Sequence, residues 1–237
     1  MRRSPEGAKL MLLAGPNEIL PSDSGDAPPD PKVLPALVAA YGKLGYNAGY
    51  ITVAEGKALA SAGAALPPGF LTAGDAPQKA VYTIGGNTIG VVFFPELGRA
   101  EGPSEAAIQA VAGAAASLRP DVKLVIGVSP WGSEAESRYL AHAKPAVDVL
   151  LGGGPGIGLT ARPDATGKVL WMRSFGKGKT LDALDLLAWP GGADFTWKDK
   201  VNFTFQVISL GDDYAAKPEI DALFAAFAGD GKDVKTK

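Results

Sequence analysis

The sequence predicts an α/β protein built around a mixed sheet, and three observations lead to that class. Continuous apolar runs at 122–128 and 147–151 read as strands buried on both faces. They are interleaved with segments whose apolar residues recur at helical spacing. A hairpin signal at Ile84-Gly85-Gly86-Asn87 and a strand-dense stretch after residue 169 add antiparallel partners.

Each element follows in order. Residues 9–14 read as a first strand that stops at Gly15-Pro16, and the Pro- and Gly-rich stretch 21–31 reads as a loop with little to bury. In 31–44, Val33, Leu34, Leu37, Val38, Tyr41 and Leu44 share a helical face, with Asp30 as N-cap and Gly45 as stop. Residues 49–53 are β-rich and 55–65 form an alanine-rich helix. Strands at 80–83 and 88–94 flank the glycine turn, a helix covers 103–118, a strand 122–128, a short helix 133–143 and a strand 147–151. Strands at 169–173, 181–188 and 201–210 follow, and a last helix runs from near Pro218 to Ala228. No repeat or composition break divides the chain, so 1–237 reads as one domain with a flexible tail at 229–237.

Composition narrows the function. A chain of 237 residues, 46% hydrophobic and 20% charged, buries a sizeable core. The 23 basic and 25 acidic residues leave a formal charge of −2, with no basic footprint for nucleic acid. No stretch approaches the ~20 apolar residues of a membrane span. The absence of cysteine excludes thiolate catalysis, thiolate metal sites and disulfides. Met1-Arg2-Arg3 carries the charge of a signal peptide, but the apolar run 10–14 is too short for its core. The expected location is exported or periplasmic with a signal removed, or cytoplasmic if Met1 is the native start.

The stretch 150–159, "LLGGGPGIGL", invites a phosphate-binding reading that its spacing does not support. A dinucleotide loop opens a helix, whereas Pro163 and the polar segment 164–168 follow here. Gly178-Lys179-Thr180 has the closing letters of a Walker loop without the earlier glycine.

Five segments resemble, in order and approximate spacing, the 5′-nucleotidase-like branch of the calcineurin-like metallophosphatases. They are "LVAAYGKLGYNAGYI" (37–51), "VYTIGGNTIGVVFF" (81–94), "DVKLVIGVSPWG" (121–132), "VDVLLGGGPG" (147–156) and "VLWMRSFGKGKTLDALDL" (169–186). The resemblance implies a four-layer αββα sandwich, two mixed sheets packed face to face with helices outside. In active members it implies a dinuclear metal centre that hydrolyses phosphate esters.

The ligands that this resemblance calls for are missing from the sequence. Pro130 stands where "LSHLG" carries a histidine, flanked by Ser129 and Trp131, and Gly153, Gly154 and Gly156 stand in the loop where "GGHSH" carries others. The Asn-His pair aligns with Val53 and Ala54, with Glu55 beside them. Pro16 falls at the bridging aspartate; a rival register keeps Asp26 but shortens the connection to "LGYNA". The family's opening Asp-x-His strand has no counterpart. Such a centre uses several histidines, and the sequence has one, His142.

Other chemistry has weaker support. His142 reads as a helix-end histidine. Ser129, His142 and Asp148 have the letters of a triad without the strand-turn-helix elbow. Glu18, Asp23, Asp26 and Glu55 are oxygen donors for a hard cation or else solvated loop charges. Trp131 reads as packing or as a stacking surface, and Lys177 and Lys179 as solvated lysines or as anion contacts. The expected function is a non-catalytic binding or scaffold role without cofactor, its partner an unidentified protein or small molecule. The alternative is a divergent phosphoesterase using Mn or Mg held by carboxylates.

Overall fold

A computed structural model describes residues 10–20, 27–98, 102–142, 146–175, 178–211, 214–215 and 217–227. The expected tail at 229–237, most of the loop at 21–31, Lys177, Asp23 and Asp26 lie outside the described residues.

The chain forms an α/β sandwich of four layers. Its central sheet has six strands in the order β4-β5-β6-β7-β9-β8: β4 (Gln78–Ile84), β5 (Asn87–Phe93), β6 (Leu124–Ser129), β7 (Val149–Gly152), β8 (Leu159–Pro163) and β9 (Leu170–Arg173). β5, β6, β7 and β9 run parallel, and β4 and β8 close the edges antiparallel. Gly85 and Gly86, at φ 54° and 76°, make the tight β4–β5 turn that two adjacent glycines signal in the sequence.

The opposing layer is made of two pieces. β1 (Leu13–Ala14), β2 (Ala48–Ile51) and β3 (Phe70–Thr72) form a parallel sheet, and β10 (Thr180–Leu186) pairs antiparallel with β11 (Phe203–Ser209). Residues from both pieces, Tyr50, Leu184, Leu186 and Phe203 among them, pack against Val91, Phe93, Ile126, Val149 and Leu170 of the central sheet. Outside this inner core, α3 (Glu105–Leu118) and α4 (Ser133–His142) cover the other face of the central sheet through Val92, Phe94, Val111, Tyr139 and Leu150. On the far side, α1 (Leu34–Leu44) and α2 (Val53–Ser61) cover the β1–β3 sheet through Leu34, Ile51, Leu59 and Phe70. A short α5 (Pro218–Phe224) packs on α1.

Local rules explain the boundaries. Gly45 ends α1 at φ 75°, where a left-handed residue is needed. α2 starts two residues before the sequence reading because Thr52 and Glu55 form a reciprocal capping box. β3 and β8 escape the periodicity reading. β3 is three residues long, and β8 is an edge strand with an irregular register that ends at Pro163. The parallel strands β1, β2, β5, β6, β7 and β9 end on one rim, where their loops converge.

A cavity at the strand ends

The rim is organised from beneath by Glu55. Its carboxylate is fully buried and accepts four backbone N–H groups: Asn17 (3.1 Å), Ile19 (2.7 Å), Leu20 (3.2 Å) and Thr52 (2.7 Å). These bonds tie the loop after β1 to the start of α2. Both oxygens are committed to the backbone, so Glu55 is an anchor below the groove. Ala54 is exposed on the first turn of α2. Glu18 accepts from the Tyr41 hydroxyl at 2.7 Å.

The glycine stretch is packed against its neighbours. Gly153 donates to the Ser129 carbonyl at 2.7 Å, Gly132 donates to the Gly153 carbonyl at 3.0 Å, and Ser133 donates to the Pro155 carbonyl at 3.0 Å. A Cβ on Gly153 would lie 2.4 Å from Pro16 Cγ, and one on Gly154 would lie 2.3 Å from the Pro130 carbonyl oxygen. Gly154 also sits at φ 68°, which favours glycine. On Gly156 a Cβ would meet Ser133 Oγ at 2.2 Å. The glycines therefore let the loop after β7 interlock with the loops after β1 and β6. Pro16, Ser129, Pro130, Gly153 and Gly154 are brought together in this way.

A buried ion pair holds the same loop from the other side. Arg173 donates to Glu136 at 2.5 Å, to the Gly154 carbonyl at 2.9 Å, to the Pro155 carbonyl at 3.0 Å and to the Ile157 carbonyl at 3.1 Å. The Trp171 indole N–H donates to the same Glu136 oxygen at 3.0 Å. Burial pushes the Glu136 carboxyl above the usual range, against the opposing pull of Arg173, Trp171 and Ser129. Trp131 packs with Phe94 and Tyr139, ring centroids 4.8 and 5.9 Å away, and donates its indole N–H to the Pro95 carbonyl at 2.6 Å.

Between these loops lies a cavity of about 300 Å³, lined by Asn17, Thr52, Glu96, Leu97, Gly98, Pro130, Trp131, Gly154 and Pro155. Asn17, Thr52 and Glu96 are its polar side chains, and sequence reading missed all three. Thr52 carried a legible signal, the cap spacing to Glu55; Asn17 and Glu96 did not, because each sits in an irregular loop whose direction only the fold sets. This donor set does not fit a pair of divalent ions, which needs several imidazole and carboxylate ligands. Among the described residues no three His, Cys, Asp or Glu side chains gather in any metal-binding group. Four backbone donors at the rim are engaged too. Thr52 N–H bonds Glu55, Val53 N–H bonds Glu96 at 2.8 Å, and Gly132 and Ser133 N–H bond the glycine loop.

The triad letters are kept apart. Ser129 ends β6 and accepts the Trp131 N–H at 3.1 Å, whereas Asp148 precedes β7 at the opposite end, roughly 13 Å away along parallel strands. Asp148 is occupied there by Arg119 at 2.6 Å and Val125 N–H at 2.7 Å. The backbone places His142 at the C-terminal end of α4. Lys179 is exposed before β10.

The architecture has close counterparts among solved structures. The sulfate thiohydrolase SoxB of Thermus thermophilus, solved with glycerol, superposes with a TM-score of 0.68 at 17% identity, over 98% of this chain and 45% of its own. The chain has that fold. A 5′-nucleotidase from Candida albicans gives 0.57 at 12% identity over 96% of this chain and 46% of its own. The NAD nucleotidase NadN of Haemophilus influenzae gives 0.53 at 12% identity, over 73% of this chain and 42% of its own. The chain therefore spans less than half the length of each. No family model matches the sequence, and no curated protein matches it.

Proposed function

We propose that this chain is a degenerate metallophosphatase-like protein that binds a partner or small molecule and does not hydrolyse phosphate esters. One observation carries the reading. The loop ends at which the sequence resemblance expects metal ligands are occupied by Pro16, Pro130, Gly154 and Gly156, with no room for a Cβ on either glycine. A histidine at Gly154 or Gly156 would overlap the Pro130 carbonyl or the Ser133 hydroxyl. The buried Glu136–Arg173 pair and the backbone bonds of Glu55 supply the cohesion of the rim without an ion. The fold of the nucleotidase-like neighbours supports the ancestry, and the donor set around the cavity supports the loss of chemistry. An exported location fits the same reading; among the described residues no helix is long and apolar enough to cross a membrane.

The test is metal content by mass spectrometry on purified protein, with nucleotidase and phosphodiesterase assays in Mn²⁺ and melting temperature with and without EDTA. The expected result is substoichiometric metal, no turnover and an unchanged melting temperature. One or two ions per chain together with turnover would overturn the proposal in favour of a carboxylate-based phosphoesterase.

A further inference from the structure

A second cavity, of about 430 Å³, lies at the end of the central sheet opposite the rim. It opens below the starts of β7 and β9 and is lined by Arg119, Asp148 and Lys168, and by Gly191, Gly192 and Phe195 of the β10–β11 connection. Its two cations are fixed in place by short bonds. Arg119, with a side chain 37% exposed, donates from Nη1 to Asp148 at 2.6 Å and from Nη2 to the Ala146 carbonyl at 2.6 Å. Lys168 is exposed and donates from Nζ to the Ala193 and Phe195 carbonyls, both at 2.6 Å. These contacts use two of the five guanidinium donors and two of the three ammonium donors. A cation that is already ordered loses less side-chain entropy when a ligand arrives.

Charge and shape then select the ligand. Asp148 balances Arg119, whereas the carbonyls that position Lys168 leave its charge in place, so the cavity holds two cations to one carboxylate. Asp164 and Asp194, the acids nearest in sequence to Lys168 and to the glycines, do not line it. The segment leading into this wall, Ala143-Lys144-Pro145, contains no acid. A Cβ on Gly191 or Gly192 would meet nothing within 4 Å, so that side of the cavity is bare backbone which a compact group can approach closely. A guanidinium fork and an ammonium point charge together suit the several oxygens of a tetrahedral oxyanion. We propose that this cavity binds a small phosphate or sulfate ester, its oxyanion between Arg119 and Lys168 and its carbon skeleton against Phe195.

The experiment is calorimetric titration of the metal-free full chain, at low ionic strength, with glucose 6-phosphate, glucose 6-sulfate and glucose. The two esters distinguish phosphate from sulfate, and at least one should bind where glucose does not. Added salt should weaken that binding, because both cations are reached by solvent. Lys168→Gln removes the charge and keeps an N–H donor for the loop carbonyls; it should weaken the ester roughly tenfold, equivalent to about 1.4 kcal/mol. Lys168→Arg should retain most of the affinity. Arg119→Lys keeps a cation beside Asp148 but loses the fork, and should weaken the ester several-fold. Absence of binding by both esters, equal binding of glucose, or ester binding that survives both Lys168→Gln and Arg119→Lys would overturn the proposal. The substituted residues lie at the other end of the parallel strands from the rim, so these results are separate from the metal and turnover measurements that decide the non-catalytic reading.

Discussion

Substitution of Glu55 gives the sharpest test of how the rim is assembled. Four N–H groups converge on one fully buried carboxylate at 2.7–3.2 Å. A hydrogen bond to a charged group contributes about 1.5–3 kcal/mol, and leaving a buried donor unpaired costs about 1–3 kcal/mol. Because the four share one acceptor and the loop relaxes, the values do not add, and Glu55→Ala is expected to cost roughly 3–5 kcal/mol. For a chain of this size each kcal/mol lowers the melting temperature by about 2–4 °C, so the loss is about 6–20 °C. The isosteric Glu55→Gln is the discriminating variant. All four partners are donors, so the amide NH₂ must face two of them wherever it turns, and the expected cost is roughly 2–3 kcal/mol. Urea unfolding followed by circular dichroism measures both, and hydrogen exchange at Ile19 and Thr52 reports the local effect. A Glu55→Gln protein within about 0.5 kcal/mol of the parent, the usual range for surface changes, would refute the reasoning.

Further outcomes follow from the same rim and from the β10–β11 pair. Gly154→Ala combines φ 68° with a Cβ 2.3 Å from the Pro130 carbonyl and should lose roughly 2–4 kcal/mol in urea unfolding, whereas Gly178→Ala, at φ 60° with nothing within 4 Å, should lose only about 1 kcal/mol. Arg173→Met strands the buried Glu136 and should lose about 3–5 kcal/mol; adding Glu136→Leu should recover part of it, since the Gly154, Pro155 and Ile157 carbonyls stay unpaired. Asp182 on β10 has its carboxyl pushed up to about 6 by burial. The folded state holds this proton more tightly than the unfolded chain, so the contribution of Asp182 to stability is full below about pH 4 and is lost as pH rises from about 4 to 6. Partial exposure limits the fall to about 1–2 kcal/mol. Asp182→Asn should flatten this part of the pH profile and raise the melting temperature at neutral pH while leaving it unchanged near pH 4, checked by thermal melts across that range.

Much of the architecture is legible in the linear chain because the signals are local. The runs that became β6 and β7, the glycine pair of the β4–β5 turn and the caps Asp30 and Gly45 each act within a few residues. β3 and β8 were not legible, since a three-residue strand and an irregular edge strand owe their pairing to neighbours distant in sequence. The groove was readable only in part. Sequence alone pointed to Pro16, Ser129, Pro130 and the glycines of 150–159 as loop residues without metal-ligand chemistry.

What those residues do was decided by tertiary packing. The same glycines serve a phosphate loop, a flexible turn or a close backbone crossing, and only the approach of Pro16 and of the Pro130 carbonyl selects the crossing. Glu55 reads in sequence as a groove carboxylate, yet buried beneath the rim it must find donors, and the backbone of 17–20 provides them. Asn17 and Glu96 meet across one cavity although 79 positions separate their numbers in the chain. Composition and periodicity therefore determined that this is a layered α/β protein with a single histidine. The three-dimensional convergence of loops decided which polar groups are spent on structure and which line the cavity.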